Sequence, residues 1–528
     1  MKQKIPAART KPETEGYEME TAVSDITWVS ESIAPWLSST HAQPILVDAL
    51  QRKQALGQFM TPDWVADFMA SMFTDRWQSL DLLDAGAGLG ALTAAVIRRV
   101  CSSRTRPVTA SVTAYELDSA LIDPLRETMD KCRRSCERAG ISFSATVLNR
   151  DFIADAARRI QGGLGIEEFT RFDAAIVNPP YHKIHGNSAT RMQLRYALVE
   201  TSNLYSAFLA LIVGLLKPGG ELVAITPRSF CNGAYFRSFR NDFLARMSLR
   251  RIHVFESRRA AFGTDDVLQE NVIVHAVRGR PAPNSVLVSS SSGARGDAVT
   301  KRAVPNEEVV PSGHQKFIHI PVGHEQSRSA EQVGDLPLWL SQLGLAVSTG
   351  RVVDFRAREF LRNMPEVDTV PLIYPCHFNG VYVAWPRPGC RKPNAIVCGP
   401  STRDLLVPSG TYVLVKRFTS KEERRRIVAS IYDPARVTAP LVGFENHINY
   451  FHAYGHGLDP SLARGLAAFL NSRQVDAYYR RFSGHTQVNA TDLRTMKYPT
   501  REFLEQLGLA AGDRTQDELD RIIEKEVA

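Results

Sequence analysis

LLDAGAGLGALTAAV, residues 82–96, places an apolar run, a turn with three glycines and a second apolar stretch directly after one another. The run that ends at Asp84 has the length of a strand, and the stretch after Gly90 reads as a helix. Gly86, Gly88 and Gly90 allow the backbone of the turn to pass close to a ligand at the N-terminus of that helix. On its own this stretch identifies no ligand, because dinucleotide enzymes use a similar loop and any doubly wound sheet needs tight turns.

The same alternation of short apolar runs and helical stretches continues from about residue 41 to 280. It is typical of a mainly parallel sheet with helices on both faces, so we predict a doubly wound α/β fold. A buried helix from Leu204 to Leu216, ended by Gly219-Gly220, is expected before the fifth strand. The predicted strands are Leu80–Asp84, Val112–Tyr115, Ser144–Leu148, Ala174–Val177, Glu221–Ile225, Arg251–Phe255 and Asn271–Ala276.

Acidic and aromatic residues follow the second and third predicted strands. VTAYELD, residues 112–118, places Glu116 at a strand end, where a carboxylate can accept both hydroxyls of a ribose. SATVLNRDF ends in Asp151 and Phe152, which can accept from an adenine amino group and cover its ring. A solvated surface position explains either acid alone. Because open α/β sheets bind ligands at the carboxyl edge of their strands, the ordered set predicts a nucleoside site there.

FDAAIVNPPYHKI, residues 172–184, ends a buried run in residues that fit neither a helix nor a continuing strand. Pro179 and Pro180 remove two backbone donors and fix φ, so strand pairing has to stop. The strand end then presents the amide of Asn178, an unpaired backbone carbonyl and the ring of Tyr181. This rigid corner is more than a turn requires.

Together these segments resemble the S-adenosylmethionine-dependent DNA adenine-N6 methyltransferases, in the γ arrangement of type II restriction–modification enzymes. The resemblance covers about residues 50–500 and includes GQFMTPDWVADFMASMF at 57–73, similar to the family's motif before the glycine turn. It implies a Rossmann-like methyltransferase sheet, S-adenosylmethionine as cofactor and double-stranded DNA as substrate. It assigns the methionine part of the cofactor to Phe59, Thr61, Pro62, Asp84, Gly86 and Gly88, the ribose to Glu116, and the adenine to Asp151 and Phe152.

The resemblance makes Asn178, Pro179, Pro180 and Tyr181 the catalytic corner. An exocyclic amine is a poor nucleophile because its lone pair is delocalised, and two acceptors on its N–H bonds pyramidalise the nitrogen. The target adenine has to leave the duplex, which calls for a second stacking ring besides Tyr181. Phe262 in ESRRAAFGTDDVLQENVIV occupies the family's position for it, with Phe255 as an alternative and core packing as another explanation of both.

Composition changes after residue 280, where a Ser-, Pro- and Gly-rich stretch indicates a linker or surface excursion. We predict a flexible arm at 1–40, the catalytic domain at 41–280, the linker at 281–335, a mixed α+β target-recognition domain at 336–500 and a helical tail at 501–528. Arg237 and Arg240 are further candidates for phosphate contact, and a charged surface also explains these cations. The residues expected to contact DNA are Arg228, Lys416, Arg417, Arg424, Thr486, Gln487 and Asn489.

The composition bounds the function. Lys and Arg exceed Asp and Glu by 64 to 56, and a pI near 9.1 permits a polyanionic partner without proving one. Seven scattered cysteines indicate reduced thiols and no structural metal. The start lacks the apolar core of a signal peptide, and the run Ala207–Leu216 is too short to span a bilayer. We expect a cytoplasmic, nucleoid-associated monomer or weak dimer, with any cognate restriction endonuclease on a separate chain.

Three other functions stay open on the sequence alone. Asn-Pro-Pro-Tyr also presents planar amines in protein glutamine and ribosomal-RNA guanine methyltransferases, so a translation component is an alternative substrate. A DNA-binding regulator with an inactive methyltransferase fold is the second, although the complete cofactor set argues against it. Cytosine-N4 methylation is the third; those enzymes more often carry Ser at the position of Asn178.

Overall fold

A computed structural model of the chain describes residues 61–74, 77–162, 171–255, 270–312, 316–321, 333–419, 423–482, 487–512 and 514–527. The predicted arm at 1–40 and the predicted site residues Phe59, Phe262 and Thr486 lie outside these ranges.

One large sheet dominates the first part of the described chain, and it has the strand order β3–β2–β1–β4–β5–β7–β6–β8–β9. Its strands are β1 (Ser79–Ala85), β2 (Thr109–Glu116), β3 (Ser142–Asn149), β4 (Phe172–Val177), β5 (Leu216–Pro227), β6 (Met247–Phe255), β7 (Asn271–Arg278), β8 (Ser285–Ser291) and β9 (Thr300–Pro305). The helices around it are α1 (Asp63–Ala70), α2 (Ala91–Ser102), α3 (Ile122–Arg138), α4 (Phe152–Gln161), α5 (Ala189–Tyr196), α6 (Leu204–Leu215), α7 (Arg237–Arg246) and α8 (Asn306–Val309).

Strands β1 to β5 run parallel to one another, and β7 lies antiparallel between β5 and β6. The residues of β4 alternate between the two faces. Ala175 and Val177 pack into one hydrophobic cluster with α4, α6 and α7, whereas Ala174 and Ile176 pack into another with α1, α2 and α3. Burial on both faces explains why the strand is an unbroken apolar run. The predicted doubly wound, mainly parallel α/β fold is confirmed, and each of the seven predicted strands is present.

Two details differ from the sequence interpretation. Residues 285–305, assigned to a linker, include β8, which pairs with β6, and β9, which pairs with β8. The serine-rich run forms a strand because alternate residues such as Val286 and Val288 are buried. Gly219-Gly220 does not stop the preceding helix; α6 ends at Leu215 and the pair lies inside β5.

Smaller sheets and a helical layer make up the rest. A six-stranded sheet has the order β11–β21–β18–β19–β15–β14, a five-stranded sheet has the order β12–β16–β13–β20–β17, and β10 pairs with β22. The strands are β10 (Leu338–Trp339), β11 (Ala346–Thr349), β12 (Leu361–Arg362), β13 (Thr369–Ile373), β14 (Phe378–Asn379), β15 (Tyr382–Val383), β16 (Ala395–Val397), β17 (Leu406–Pro408), β18 (Tyr412–Lys416), β19 (Ala429–Tyr432), β20 (Leu441–Phe444), β21 (Ile448–His452) and β22 (Lys497–Tyr498). The helices are α9 (Pro460–Leu470), α10 (Arg473–Phe482), α11 (Ala490–Arg494), α12 (Arg501–Ala510) and α13 (Gln516–Val527). This mixed α and β content agrees with the expected character of the region.

The expectation that all thiols are reduced is wrong for one pair, because Cys376 and Cys390 form a disulfide. His377 lies beside them, and the three side chains have the composition of a metal site. Its ring is already engaged: Nδ1 accepts from the Tyr374 amide at 2.9 Å, and Nε2 lies 2.9 Å from the Asn394 side-chain oxygen. The two sulfur atoms are bonded to each other and both ring nitrogens of His377 have protein partners, so these side chains stabilise the local fold. Within the described residues, no helix has both the length and the apolar character needed to cross a membrane.

Candidate active site

The Asn178 amide is held in one orientation at the end of β4. Pairing between β4 and β5 stops at Val177, and Pro179, which cannot donate a backbone hydrogen bond, is buried directly after Asn178. The Asn178 Nδ2 donates to the Thr61 hydroxyl at 3.0 Å, and the Tyr181 hydroxyl donates to Asn178 Oδ1 at 3.0 Å. These two partners fix which end of the amide accepts.

Tyr181 is itself anchored by aromatic packing. Its ring meets Tyr205 edge to face, with centroids 6.2 Å apart at an interplanar angle of 84°. The Tyr205 hydroxyl lies 2.8 Å from the Ser229 hydroxyl, just beyond β5. Burial raises the pKa of Tyr181 well above its usual value, so the phenol stays neutral. Tyr181 can therefore donate a hydrogen bond but does not act as a base near neutral pH.

The glycine turn after β1 has a backbone with positive φ at its three glycines. Gly86, Gly88 and Gly90 have φ values of 96°, 56° and 83°. The amides of Gly86 and Ala87 both donate to the Tyr115 carbonyl, at 2.9 and 2.8 Å, which ties the turn to β2. At Gly90 an added Cβ would stand 2.9 Å from a Leu125 methyl group. The turn thus needs glycine for its backbone and for the packing of α2.

Asp84 at the end of β1 has an unsatisfied acceptor. The side chain is fully buried, and Oδ2 accepts from the Thr93 hydroxyl of α2 at 2.7 Å. Oδ1 is buried and has no hydrogen-bond partner among the residues that the structure describes. Burial raises the pKa of Asp84 to about 7, the Thr93 hydrogen bonds oppose that shift, and the nearby Glu116 charge adds to it. A buried carboxylate oxygen without a donor is expected where a ligand supplies the donor.

Glu116 at the end of β2 is oriented by backbone donors. Its two oxygens accept from the amides of Gly88 and Asp118, each at 2.8 Å, and the side chain is only 2% exposed. A carboxylate has about four acceptor positions, so these bonds are compatible with further bonds to a diol. The structure brings Glu116 and the glycine turn together, as the sequence predicted for a nucleoside site.

Asp151 and Phe152 follow β3 and begin α4. Asp151 caps the helix, because its Oδ1 accepts from the Ile153 amide at 2.8 Å, and the residue is exposed. Phe152 is buried against Tyr115 and Phe208, at ring-centroid distances of 5.3 and 5.0 Å. The cap gives Asp151 a structural role that the sequence interpretation did not include.

The carboxylate acceptors of this site fit a ligand that has a cationic amine and a vicinal diol, as the predicted cofactor has. The orphaned Asp84 oxygen suits the amine, and Glu116 beside the glycine turn suits the diol. Sequence reasoning missed Thr93, which orients Asp84, and it assigned Thr61 to the cofactor without seeing its bond to Asn178. The available signal for Thr93 was a polar residue on the otherwise apolar face of α2.

Two arginines expected at phosphates are structural instead, which corrects the prediction for Arg228. Arg228 is 5% exposed, pairs with buried Glu270 at 3.1 Å, and donates to the Arg480 carbonyl at 3.2 Å. Arg240 is fully buried and donates to two backbone carbonyls, those of Phe230 and Gly233. Each guanidinium satisfies carbonyl or carboxylate groups inside the protein, so neither reaches a phosphate from this position.

The basic segment after β18 is only partly available. Arg424 is exposed, whereas Lys416 and Arg417 are half-buried. Arg417 donates to the Asn446 carbonyl at 3.0 Å. Arg426, in the same basic segment, is 1% exposed, and its guanidinium lies over the Tyr479 ring at 5.6 Å from the centroid. Of these four cations, Arg424 is the one presented to solvent.

The remaining predicted positions have local contacts. The backbone N–H of Asn489 donates to Asp492 Oδ2 at 2.9 Å at the start of α11. Gln487 is half-buried, and its backbone carbonyl accepts from the Tyr479 hydroxyl. Phe255, the alternative stacking ring, is 3% exposed and packs edge to face on Trp64 at 5.9 Å. That packing makes Phe255 a core residue in this structure.

Comparison with known proteins gives the family. A family model described as Eco57I restriction-modification methylase matches residues 125–262. The chain is 43% identical over 493 residues to the type II methyltransferase M.PstI of Providencia stuartii, covering 91% of this chain and 96% of that protein. It is 45% identical over 463 residues to the type II methyltransferase M.BsuBI of Bacillus subtilis, covering 87% of this chain and 90% of that protein.

Among solved structures, the type IIG restriction endonuclease BpuSI is similar at a TM-score of 0.43 and 13% identity, over 89% of this chain and 66% of that one. Likeness at that level says nothing about activity. The two sequence relatives, matched over nearly their whole length, do not favour a translation component as substrate. The chain therefore belongs to the type II methyltransferases of restriction–modification systems, and it is a DNA methyltransferase.

Proposed function

We propose that this enzyme methylates the N6 amine of an adenine flipped out of double-stranded DNA, with S-adenosylmethionine as the methyl donor. The observation that carries the proposal is the fixed Asn178 amide at the end of β4, with Oδ1 set as an acceptor by Tyr181 and Nδ2 turned toward Thr61. An amide oxygen can accept two hydrogen bonds, so a bond from Tyr181 is compatible with one from a substrate amine.

The chain's own groups would act on the amine as follows. Asn178 Oδ1 and the Pro179 carbonyl each accept one N–H bond of the target, and the nitrogen lone pair turns out of the ring plane. Tyr181 stacks on the extruded base and lies near the charge that moves during transfer. S-adenosylmethionine supplies an electrophilic methyl group. After transfer the amine carries an extra proton, which leaves to water, so no basic side chain is needed.

The family resemblance implies the cofactor residues, and the geometry of Asp84 and Glu116 supports two of them. Asp84 would accept from the amine of the methionine part through its orphaned Oδ1, and Glu116 would accept the ribose hydroxyls. Asp151 and Phe152 would hold the adenine, and Phe59, Thr61, Pro62, Gly86 and Gly88 would line the methionine end. Phe262 would be the second ring on the target base.

We also infer the setting. The DNA duplex would lie against exposed cations such as Arg424. The other residues that would contact it are Lys416, Arg417, Thr486, Gln487 and Asn489. The enzyme would work as a monomer or weak dimer in the cytoplasm, on nucleoid DNA. A separate cognate restriction endonuclease would cut the same unmodified sites without forming a stable complex.

The test is direct identification of the product. Purified enzyme is incubated with tritiated S-adenosylmethionine and, in separate reactions, unmethylated plasmid, ribosomal RNA or ribosomal protein. The nucleosides of the digested plasmid are separated by chromatography and identified by mass spectrometry. We expect label in N6-methyladenine, at sites that sequencing of modified bases then maps. Label in N4-methylcytosine would replace adenine by cytosine as the target, and label in ribosomal RNA or protein but not in plasmid would reject DNA as the substrate.

A further inference from the structure

Residues 185–201 form an excursion that leaves the catalytic corner and returns to it at one place. The Leu204 amide donates to the His182 carbonyl at 2.8 Å, and the Ile184 amide donates to the Ser202 carbonyl at 2.8 Å. These two bonds close a short neck directly after Tyr181. The excursion is therefore attached at the rim of the site where the target base is proposed to bind.

The excursion is anchored from inside. It contains α5, whose first turn is capped by Ser188, and Leu194 on this helix is fully buried in the core of the large sheet. Arg191 donates to the Thr201 carbonyl, which ties the helix to the segment that leads back to the neck. Because its base and one face are fixed, the outward face of the excursion has a defined position.

That outward face carries large apolar side chains in water. Met192 is 54% exposed, Tyr196 70% and Leu198 93%, all within seven residues, and Arg195 beside them is also exposed. A single exposed apolar residue needs no explanation, but several in one short segment mark a surface that meets a partner.

Leu198 is also held in an unfavourable backbone conformation. Its φ is +57°, and its amide and that of Val199 donate to the Arg195 and Leu194 carbonyls at 3.0 and 2.8 Å. This is the position after a helix where glycine is strongly preferred, because a side chain is strained there. Glycine would make the same cap without strain and without exposing a leucine. The leucine side chain must therefore contribute something that the cap does not need.

The substrate offers a place for such a side chain. An adenine that enters the Asn178 corner leaves the base stack, and proteins that distort DNA insert apolar side chains between bases. Leu198 is four residues from Ser202 at the neck, so it lies at most about 14 Å from it along the chain. That reach keeps it beside the opening through which the base would pass.

We propose that Leu198 is a wedge that enters the DNA base stack next to the target adenine and stabilises the flipped-out state, with Tyr196 and Met192 flanking it. This inference rests on the proposed function. In this proposal Leu198 would contact the bases beside the target and not the reacting atoms or the cofactor, so it is a positioning residue. Its contribution lies in base extrusion and not in methyl transfer.

The experiment compares Leu198→Asn with Leu198→Met. Asparagine tolerates the left-handed backbone and keeps the cap but removes the apolar side chain, whereas methionine retains it. Single-turnover methylation is measured on a duplex with a mapped site, and on the same duplex with the target adenine opposite an abasic position. We expect Leu198→Asn to be slower by about tenfold or more on the first duplex and within about threefold of wild type on the second, where extrusion is already easy. Leu198→Met should remain close to wild type on both.

A fluorescent adenine analogue at the target position reports extrusion directly, and its signal should fall in Leu198→Asn. Leu509→Asn, another exposed leucine at 70% on α12, is the matched control and should behave as wild type. Normal rates of Leu198→Asn on both duplexes, or equal slowing on both, would overturn the wedge. The proposal would also be wrong if the wild-type enzyme were a dimer, Leu198→Asn were a monomer, and the variant still extruded the base normally. The exposed face would then bind a second copy of the chain. If the wild-type enzyme transferred no labelled methyl group to adenine, the proposed function itself would be wrong.

Discussion

Replacing Asp84 by asparagine tests whether its orphaned oxygen is the ligand of the cofactor amine. The carboxyl has a pKa of about 7, so about 9% of it is ionised at pH 6 and about 76% at pH 7.5. If only the ionised form binds the ammonium group, apparent affinity scales with the ionised fraction. Wild-type affinity for S-adenosylmethionine should therefore rise about eightfold from pH 6 to pH 7.5.

The assay is equilibrium dialysis or calorimetry at both pH values, without DNA. Asp84→Asn should bind more weakly, and its affinity should lose the part of the pH dependence that Asp84 causes. Thr93→Val removes a hydrogen bond to the ionised carboxylate, so the midpoint of the wild-type curve should move to higher pH. Equal pH dependence in wild type and Asp84→Asn would refute the assignment of Asp84 to the amine.

The same pKa has a consequence for stability. The pKa of Asp84 is raised from 3.8 to about 7 in the folded state, so its protonated form is the favoured one inside the protein. Its contribution to stability is complete below about pH 3.8 and is lost as the pH rises through 7. Asp84→Asn keeps the neutral form at every pH, so cofactor-free Asp84→Asn should melt at a higher temperature than wild type at pH 8. If the variant gained stability and lost cofactor affinity, the carboxylate that is costly to bury would be the same group that binds the cofactor.

Three further predictions concern other parts of the enzyme. Asn178→Ala should lower the methylation rate by about 10²–10³-fold, because one preorganised polar contact to the reacting group is lost, while cofactor binding measured by dialysis stays unchanged. Arg228→Ala should destabilise the fold by about 3–5 kcal/mol, since it removes the buried guanidinium that pairs with Glu270, and denaturant unfolding measures this. Arg424→Ala should leave unfolding unchanged, weaken DNA binding and reduce the slope of log affinity against log salt by about 1. Unchanged stability of Arg228→Ala, or an unchanged salt slope of Arg424→Ala, would contradict the respective placement.

The sheet and the edge of the site could be predicted because local sequence determines both. A short apolar run bounded by glycine or proline reads as a buried strand, and parallel strands bring their carboxyl ends to one edge. Asp84, Glu116 and Asn178 each follow such a run, so their meeting at that edge follows from the pattern alone. No long-range packing information was needed.

The arginines could not be predicted because burial is a property of the tertiary structure. Arg228, Arg240 and Arg424 look alike in sequence, yet two of them satisfy buried acceptors and the third meets water. A guanidinium has five donors and suits either environment. Partners such as Glu270, 42 residues away, decide between them, and no local pattern encodes that pairing.

The prediction of a linker at the serine-rich stretch was wrong for a related reason. Ser289, Ser290 and Ser291 read as a linker by composition, but they extend the sheet beside β6. Their hydroxyls have partners there: Ser289 and Ser291 lie 3.0 and 3.2 Å from the two ring nitrogens of buried His253. Burial lowers the pKa of His253 to about 4, so its neutral ring pairs with neutral hydroxyls. A polar strand is stable in this position because the neighbouring strand supplies the partners, and composition alone carries no sign of that neighbour.

Asp84 and Leu198 have one property in common that links the structure to the proposed activity. Each is unfavourable in the free enzyme, the first as a buried acceptor without a donor and the second as a strained, exposed apolar side chain. Natural chains keep such features where surrounding structure fixes them and a ligand relieves them. Asp84 is fixed by Thr93, and the segment of Leu198 is fixed by buried Leu194. The two lie on separate elements, so the cofactor would relieve one and DNA the other, and neither ligand alone would satisfy the site.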